Sequence, residues 1–127
     1  MLAPNDTKTP QLAPVYGGKY QPSLDVAEIA RRLRKDLKEA TLPTALKCAV
    51  RIRRFAGGQS LNVAITAAPS FIVWTTLPNG ERVYTALARR WRDQIEVMRQ
   101  AYNFDKSDSQ SDYYNTNYYG NTYYEVA

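Results

Sequence analysis

The 127-residue sequence contains no histidine and a single cysteine, Cys48. Histidine is the commonest general base and a frequent metal ligand, so its absence removes many hydrolytic and metal-dependent chemistries. One cysteine cannot form an intrachain disulfide, which favours a reducing, cytoplasmic environment. A phosphate-binding loop is also missing, because Gly57-Gly58 is not followed by Lys-Ser/Thr. We therefore expect a protein that is not an enzyme and that needs no cofactor.

Long apolar runs are absent as well. No segment approaches the ~20 residues needed to span a bilayer, and residues 1–14 lack the basic and apolar regions of a signal peptide. The chain length suits one domain. A hydrophobic content of 44% is ordinary for a globular protein. These features predict one small domain with no membrane segment.

The whole chain has a net charge of +5, and its positive charge is concentrated in the central part. Residues 23–102 contain 14 lysines and arginines against seven acidic residues, whereas residues 103–127 contain one lysine against four acidic residues. This asymmetry indicates either an acidic partner for the basic body or a tail that folds back onto it. The sequence leaves both alternatives open.

Residues 1–22 contain four prolines and little apolar periodicity, so they predict a flexible or extended arm. The remaining residues, 23–127, predict a single α+β domain that includes a Tyr-rich C-terminal strand. Its first helix begins with a possible capping box of Asp25 and Glu28 and ends near Ala40, before a proline. One apolar stripe marks its buried face: Val26, Ile29, Leu33 and Leu37.

A β-hairpin is predicted next, because two segments of period-two alternation, 46–53 and 61–66, flank Gly57-Gly58. One face of the hairpin is aliphatic and should pack on the first helix. The other face is basic, with a further arginine at the turn. We expect these cations to contact nucleic acid or an acidic partner: Lys47, Arg51, Arg53 and Arg54.

A second helix is predicted from the apolar repeat between Val83 and Tyr102, after a short strand at 71–76. Residues 83–85 could instead pair with that strand as a hairpin, and periodicity does not decide between the two. The predicted order is α-β-β-(β)-α-β, with two helices on one face of a small, mainly antiparallel sheet. The predicted core is Ile29, Leu33, Leu37, Val50, Ile52, Val63, Ile65, Leu87, Trp91 and Ile95.

Three tyrosine pairs mark the C-terminal segment. Because tyrosine and threonine favour strands, we expect a strand over residues 117–126 that closes the sheet, rather than a disordered tail. Tyr118, Thr122, Tyr124 and Val126 would then share one face, with Tyr119 and Tyr123 opposite. If the tail is exposed, its aromatic side chains are candidate protein-interface contacts: Tyr113, Tyr118, Tyr119 and Tyr123.

Oxygen ligands suitable for a hard cation occur just before these tyrosines, at Asp105, Ser107, Asp108 and Asp112. The set lacks the glycine and the bidentate glutamate of a calcium-binding helix–loop–helix. Aspartate and serine also cap loops through local backbone hydrogen bonds. We therefore expect a loop here and no metal site.

The run from Leu24 to Pro69, with Lys47-Cys48-Ala49-Val50-Arg51 and Gly57-Gly58-Gln59-Ser60-Leu61-Asn62-Val63, resembles a large polyvalent protein-associated domain of class twenty-nine. The segments 102–108 and 112–114 strengthen the resemblance, which covers somewhat over half of the chain. The motifs are specific in combination and weak one by one. Residues 70–92 and the N-terminal arm depart from the family pattern.

The resemblance implies an accessory role in phages or conjugative elements, such as countering host defence, and it implies no catalytic residues. Abundant Tyr and Arg favour a protein-interaction module. Together with what the resemblance implies, this predicts a protein or ribonucleoprotein partner, with the chain acting as a defence-system inhibitor or accessory subunit. The alternative is direct binding of RNA or single-stranded DNA by the basic sheet face. The sequence does not predict an oligomeric state.

Overall fold

Two helices and a three-stranded sheet form the body of the domain. The structure is a computed structural model, and it describes residues 15–105 and 117–125. In chain order the elements are β1 (Val15–Tyr16), α1 (Val26–Glu39), β2 (Leu46–Phe55), β3 (Gly58–Ala67), β4 (Trp74–Thr76), β5 (Arg82–Tyr84), α2 (Ala86–Gln100), β6 (Phe104–Asp105) and β7 (Thr122–Tyr124). The main sheet has the order β2-β3-β7, and β1–β6 and β4–β5 form two small antiparallel pairs. The predicted α+β class and element order are confirmed.

Helix α1 begins and ends where the sequence predicts. The Asp25 carboxylate caps it by accepting a hydrogen bond from the backbone N–H of Ala27 at 3.1 Å. Glu28 does not complete the reciprocal capping box, because its carboxylate binds Arg31 and Arg32 instead. The buried stripe of α1 consists of Val26, Ile29, Ala30, Leu33 and Leu37.

Strands β2 and β3 form the predicted antiparallel hairpin, in a register running from Phe55↔Gly58 to Leu46↔Ala67. The side chains of β2 alternate strictly between two faces. The inner face carries the aliphatic residues and joins both helices in one core cluster. Ile52 of the predicted core is only half-buried, since it lies close to the open turn end of β2.

The short β4–β5 hairpin decides where α2 begins. Val83 belongs to β5, so the apolar repeat that starts there is not helical in its first turn. Thr85 caps α2 by accepting from the N–H of Ala88 at 3.1 Å. The prediction that Leu87 lies in the core is wrong: it is 51% exposed, because Ala88 and Ile95 define the buried side of α2.

The C-terminal segment closes the sheet, and β7 runs parallel to β3. Tyr118, Thr122 and Tyr124 are buried, whereas Tyr119 is 41% exposed on the opposite face. The regular strand is shorter than predicted because Gly120 interrupts it with a φ of +124°. A Cβ at this glycine would lie 2.4 Å from a backbone oxygen, so the chain passes close to β3 here.

A buried arginine joins α2 to the sheet. Arg99 is 2% exposed, and its Nη1 donates to the carbonyl of Leu61 at 3.0 Å. Its Nε and Nη2 donate to the carboxylate of Glu96, which also accepts from the Thr122 hydroxyl at 2.8 Å. Burial raises the pKa of Glu96, but the hydrogen bonds and charge of Arg99 outweigh that effect and hold the pKa below its usual range.

The buried tyrosines are also anchored by hydrogen bonds. The Tyr118 hydroxyl donates to the carbonyl of Arg99, and the Asn103 side-chain amide pairs with the backbone of Tyr118 at 2.9 and 3.1 Å. The Tyr124 hydroxyl donates to the carbonyl of Ala88 at 2.8 Å. Burial raises the pKa of the Tyr124 phenol to about 12. These contacts fix the tail by specific polar bonds as well as by apolar burial.

The chain before α1 lies along the end of α2. The backbone N–H groups of Gly17 and Lys19 donate to the carbonyls of Asn103 and Ala101 at 2.8 and 2.7 Å. The Lys19 ammonium lies 3.0 Å from the Asp36 carboxylate. The predicted arm therefore contacts the body before residue 22. Within residues 15–105 and 117–125, neither helix is long and apolar enough to cross a membrane.

Candidate binding face

The face of the main sheet that points away from both helices is called the outer face. On β2 it carries five exposed residues: Lys47, Ala49, Arg51, Arg53 and Phe55. On central strand β3 it carries small or short side chains: Ser60, Asn62, Ala64 and Thr66. On the C-terminal segment it carries Tyr119 and Tyr123, which neighbour β3 at Ser60 and Ala64. Cations and aromatic rings therefore flank a strand of small residues.

The middle of the outer face is occupied by an ion pair. The Arg51 guanidinium contacts the Glu125 carboxylate with Nη1–Oε1 and Nη2–Oε2 distances of 2.5 and 3.2 Å. The pKa of Arg51 is raised mainly by its hydrogen bond to Glu125 and, to a smaller extent, by a hydrogen bond to Tyr123. Tyr123 lies on the side of β3 away from β2, yet it hydrogen-bonds to Arg51 of β2, so its side chain crosses β3. Ala64, its neighbour on β3, is only 1% exposed. The acidic tail thus folds back onto the basic body at this point.

The turn end of the outer face is different, because its aromatic rings are open to solvent. The rings of Phe55 and Tyr119 have centroids 6.2 Å apart, and the two residues are 44% and 41% exposed. Gly58 makes this approach possible: a Cβ there would lie 3.0 Å from Tyr119 Cε2 and 3.3 Å from Phe55 Cε2. Arg53 lies in the same row across the sheet as Tyr119. We call Arg53, Phe55 and Tyr119 the aromatic patch.

The four predicted cations do not all lie together. Lys47, Arg51 and Arg53 share the outer face, as the alternation of β2 predicts. Arg54 points to the opposite side, where its Nη2 lies 3.4 Å from both carboxylate oxygens of Asp25 at the start of α1. Among the described residues, Lys47 and Arg53 form no ion pair, so two cations of the outer face remain available for a ligand.

The predicted interface tyrosines also separate. Tyr118 is 1% exposed and belongs to the core, where burial raises its pKa. Tyr119 is exposed, Tyr123 is half-buried against Arg51, and Tyr113 lies outside the described residues. Phe55 was missed in the sequence, although it continues the alternation of Arg51 and Arg53 by one further step.

The Cys48 thiol and the acidic residues are two further candidates for chemistry. Burial raises the pKa of the Cys48 thiol, so less of the nucleophilic thiolate is present at neutral pH. Residues 15–105 and 117–125 contain no group of three Cys, Asp or Glu side chains that could hold a metal ion. The side chains of the acidic set at residues 105–112 lie outside the described part.

Comparison of the chain with protein families, with curated proteins and with solved structures finds no match. The resemblance to a polyvalent protein-associated domain therefore stays an expectation from the sequence motifs.

Proposed function

We propose that this chain is a non-enzymatic binding protein of a mobile genetic element or host-defence context that holds a single strand of RNA or DNA on its outer face. The observation that carries the proposal is the exposed ring pair of Phe55 and Tyr119 beside Arg53, on a face that neither helix covers. The strand would be bound free or as part of a ribonucleoprotein.

The chemistry of the outer face suits an unpaired strand. Nucleobases stack on exposed aromatic rings whatever their sequence, and cations alongside contact the phosphates. Phe55 and Tyr119 supply the rings, and Arg53 and Lys47 supply cations at the two ends of the face. A base-paired duplex hides the faces of its bases, so it would gain no stacking here.

The number of free cations sets the expected salt dependence. Arg51 is already paired with Glu125, which leaves two free cations among the described residues of the face. Each phosphate contact to a single strand lowers the slope of log K against log salt by about 0.7, so two contacts predict a slope of about −1.4. Stacking should therefore supply most of the affinity, with cations adding to it.

The test is fluorescence anisotropy with labelled oligouridine, oligothymidine and a duplex of the same length. We expect the single strands to bind more tightly than the duplex. Phe55→Ala and Tyr119→Ala should each weaken binding by about 5- to 150-fold, the range of one lost stacking contact. Arg53→Glu should also weaken it.

Arg90→Glu is the matched control, because Arg90 is exposed on α2 and the substitution changes the net charge by the same amount. It should leave the affinity within about twofold, since Arg90 is remote from the outer face. Equal losses in Arg53→Glu and Arg90→Glu would show that only net charge matters and would refute the proposal. Unchanged binding in both aromatic variants would refute it as well.

A protein partner is the second candidate function. It is supported by a different feature, the edge of β2 that faces away from β3. Among the described residues, no strand pairs with that edge.

A further inference from the structure

Strand β2 lies at one edge of the main sheet and is ten residues long. In an antiparallel pair, residues alternate between bonding to the neighbouring strand and pointing their backbone groups away from it. The two-residue turn makes Phe55 and Gly58 a bonded pair. The hydrogen bond from Ala68 N–H to the Ala45 carbonyl at 2.8 Å agrees with this alternation, because Ala45 is an even number of residues from Phe55. Bonding toward β3 therefore falls on the odd-numbered residues.

The backbone groups of the even-numbered residues of β2 therefore face away from β3. Leu46 is one of these residues, but its N–H already donates to the Pro43 carbonyl at 3.0 Å. The others are Cys48, Val50, Ile52 and Arg54. The hydrogen bond from Arg34 Nη2 to the Val50 carbonyl, at 3.0 Å, agrees with this assignment, because only a carbonyl turned away from β3 can accept it. Within the described chain, Arg34 is the one side chain that bonds to this edge.

The opposite edge of the sheet is treated differently. On β7, the Thr122 carbonyl accepts a hydrogen bond from Arg92 Nε at 2.9 Å. The Tyr124 N–H donates to the Tyr84 hydroxyl at 3.5 Å. Side chains of α2 and β5 thus bond to outward backbone groups of β7. On the longer β2 edge, the Val50 carbonyl is the one outward group bonded to a side chain of residues 15–105 and 117–125. An open edge is a template for pairing with another strand.

A groove of about 510 Å³ runs beside the β2 edge on its inner side, toward the end of α1. Its floor is apolar, with Leu37, Leu46 and Val50 among the lining residues. Its charged lining residues are all cations: Arg34, Lys38 and Lys47. The groove therefore offers space for apolar side chains and a positive potential around them.

The two faces of β2 set the residue pattern of a strand that pairs with it. On the inner side, alternate residues of an added strand would lie beside aliphatic residues and the groove. On the outer side, they would lie beside Lys47, Arg51 and Arg53. Opposite charges on neighbouring strands stabilise a sheet and like charges destabilise it. A second copy of β2 would place cations beside cations, which argues against a homodimer through this edge.

We propose that the β2 edge binds an extended peptide segment of an acidic partner protein, in which acidic and apolar residues alternate. The segment adds a strand to the sheet: its apolar residues enter the groove and its carboxylates meet the unpaired cations Lys47 and Arg53. This partner site goes beyond nucleic-acid binding, because it uses the backbone edge of β2 and the groove rather than the rings of Phe55 and Tyr119.

The test uses an acetylated and amidated peptide of four Glu-Val repeats, with hydrogen exchange of the protein amides as the readout. Binding should slow exchange at least about tenfold at Cys48, Val50, Ile52 and Arg54, whose N–H groups face the added strand. Amides that already bond to β3, such as Ala49 and Arg51, should change little. A peptide of four Lys-Val repeats, and one with the glutamates and valines in separate blocks, should not produce this alternation.

Two variants separate this proposal from the outer-face proposal. Lys38→Glu changes a groove residue and should weaken the Glu-Val peptide at least about fivefold, while oligouridine binding stays unchanged. Phe55→Ala should weaken oligouridine binding and leave the affinity for the Glu-Val peptide unchanged. Arg90→Glu is again the control for net charge. The edge proposal is overturned if the peptide fails to bind at millimolar concentration, if protection does not alternate along β2, or if oligouridine rather than the peptide protects these four amides.

Discussion

The rings of Phe55 and Tyr119 meet over Gly58, with centroids 6.2 Å apart. Phe55 ends β2, and Tyr119 belongs to the C-terminal segment that pairs with β3. The pair therefore forms only when the tail is docked on the sheet. Docking of the C-terminal segment thus both completes the sheet and forms the candidate site.

Gly58→Ala should disturb the aromatic patch without unfolding the domain. The new Cβ would lie 3.0 Å from Tyr119 Cε2, so the exposed ring has to move. We expect oligouridine affinity to fall by about threefold or more while the melting temperature changes little. Gly18→Ala is the control, because a Cβ there meets nothing within 4 Å. Equal affinity of both variants would contradict the stacking role.

The adjacent residues Tyr118 and Tyr119 should respond very differently to truncation. Tyr118 is 1% exposed, so Tyr118→Ala should lower the free energy of unfolding by about 3–5 kcal/mol. Tyr119 is 41% exposed, and Tyr119→Ala should cost less than about 1 kcal/mol. Urea unfolding measures both. Similar losses in the two variants would show that the tail does not dock as described.

Deletion of residues 112–127 should destabilise the domain more than any single substitution in the tail. It removes three buried side chains, Tyr118, Thr122 and Tyr124, together with their bonds to α2. We expect a melting temperature lower by more than about 10 °C, or an unfolded chain, in circular dichroism. An unchanged melting temperature would make the tail an appendage and would remove the docked ring pair.

Much of this fold could be predicted because its signals are local. Asp25 marks the start of α1, and the period-two alternation identifies which β2 residues share a face. The face assignment of Tyr118 and Tyr119 follows from the same alternation. The start of α2 could not be predicted, because Val83 fits both an apolar helical repeat and a strand, and only pairing with Thr75 decides.

The Glu96–Arg99 pair should make stability depend on pH. The folded-state pKa of Glu96 is lowered, so its contribution is present above the ordinary glutamate pKa of about 4.3 and is lost as pH falls through the folded value. Glu96→Gln should lower the free energy of unfolding by about 3 kcal/mol at pH 7, since Arg99 stays buried without its partner.

The same substitution should matter less at about pH 3, where protonation already weakens the wild-type pair. Glu39→Gln serves as the control, because Glu39 lies on the surface, 3.8 Å from Lys35. It should change stability by less than about 0.5 kcal/mol at either pH. A Glu96→Gln effect of the same size at both pH values would contradict the role assigned to the ionised carboxylate.

Cys48 should react slowly with iodoacetamide in the folded protein. Burial raises the pKa of its thiol, so the alkylation rate should rise with pH and reach its midpoint above the ordinary value of about 8.5. Unfolding in urea should restore the ordinary midpoint. A folded-state midpoint at or below the ordinary value would indicate an activated thiol and would count against the proposal of a non-enzymatic protein.

The candidate site was only partly predictable, because it depends on which face of β2 each residue occupies and on pairing between strands that are distant in the sequence. Lys47, Arg51 and Arg53 follow from alternation, but Arg54 falls on the other face because it is one residue further along. The neutralisation of Arg51 by Glu125 depends on the parallel register of β7, which no local signal in the sequence encodes.

Amide chemical-shift mapping with oligouridine tests the central claim most directly. Nitrogen–proton correlation spectra of the labelled protein follow every backbone amide as the oligomer is added. The outer-face account predicts the largest shifts at Phe55, Ser60 and Tyr119, with α1 and α2 nearly unchanged. Shifts concentrated on the exposed arginines of α2, or no shifts at low salt, would contradict it.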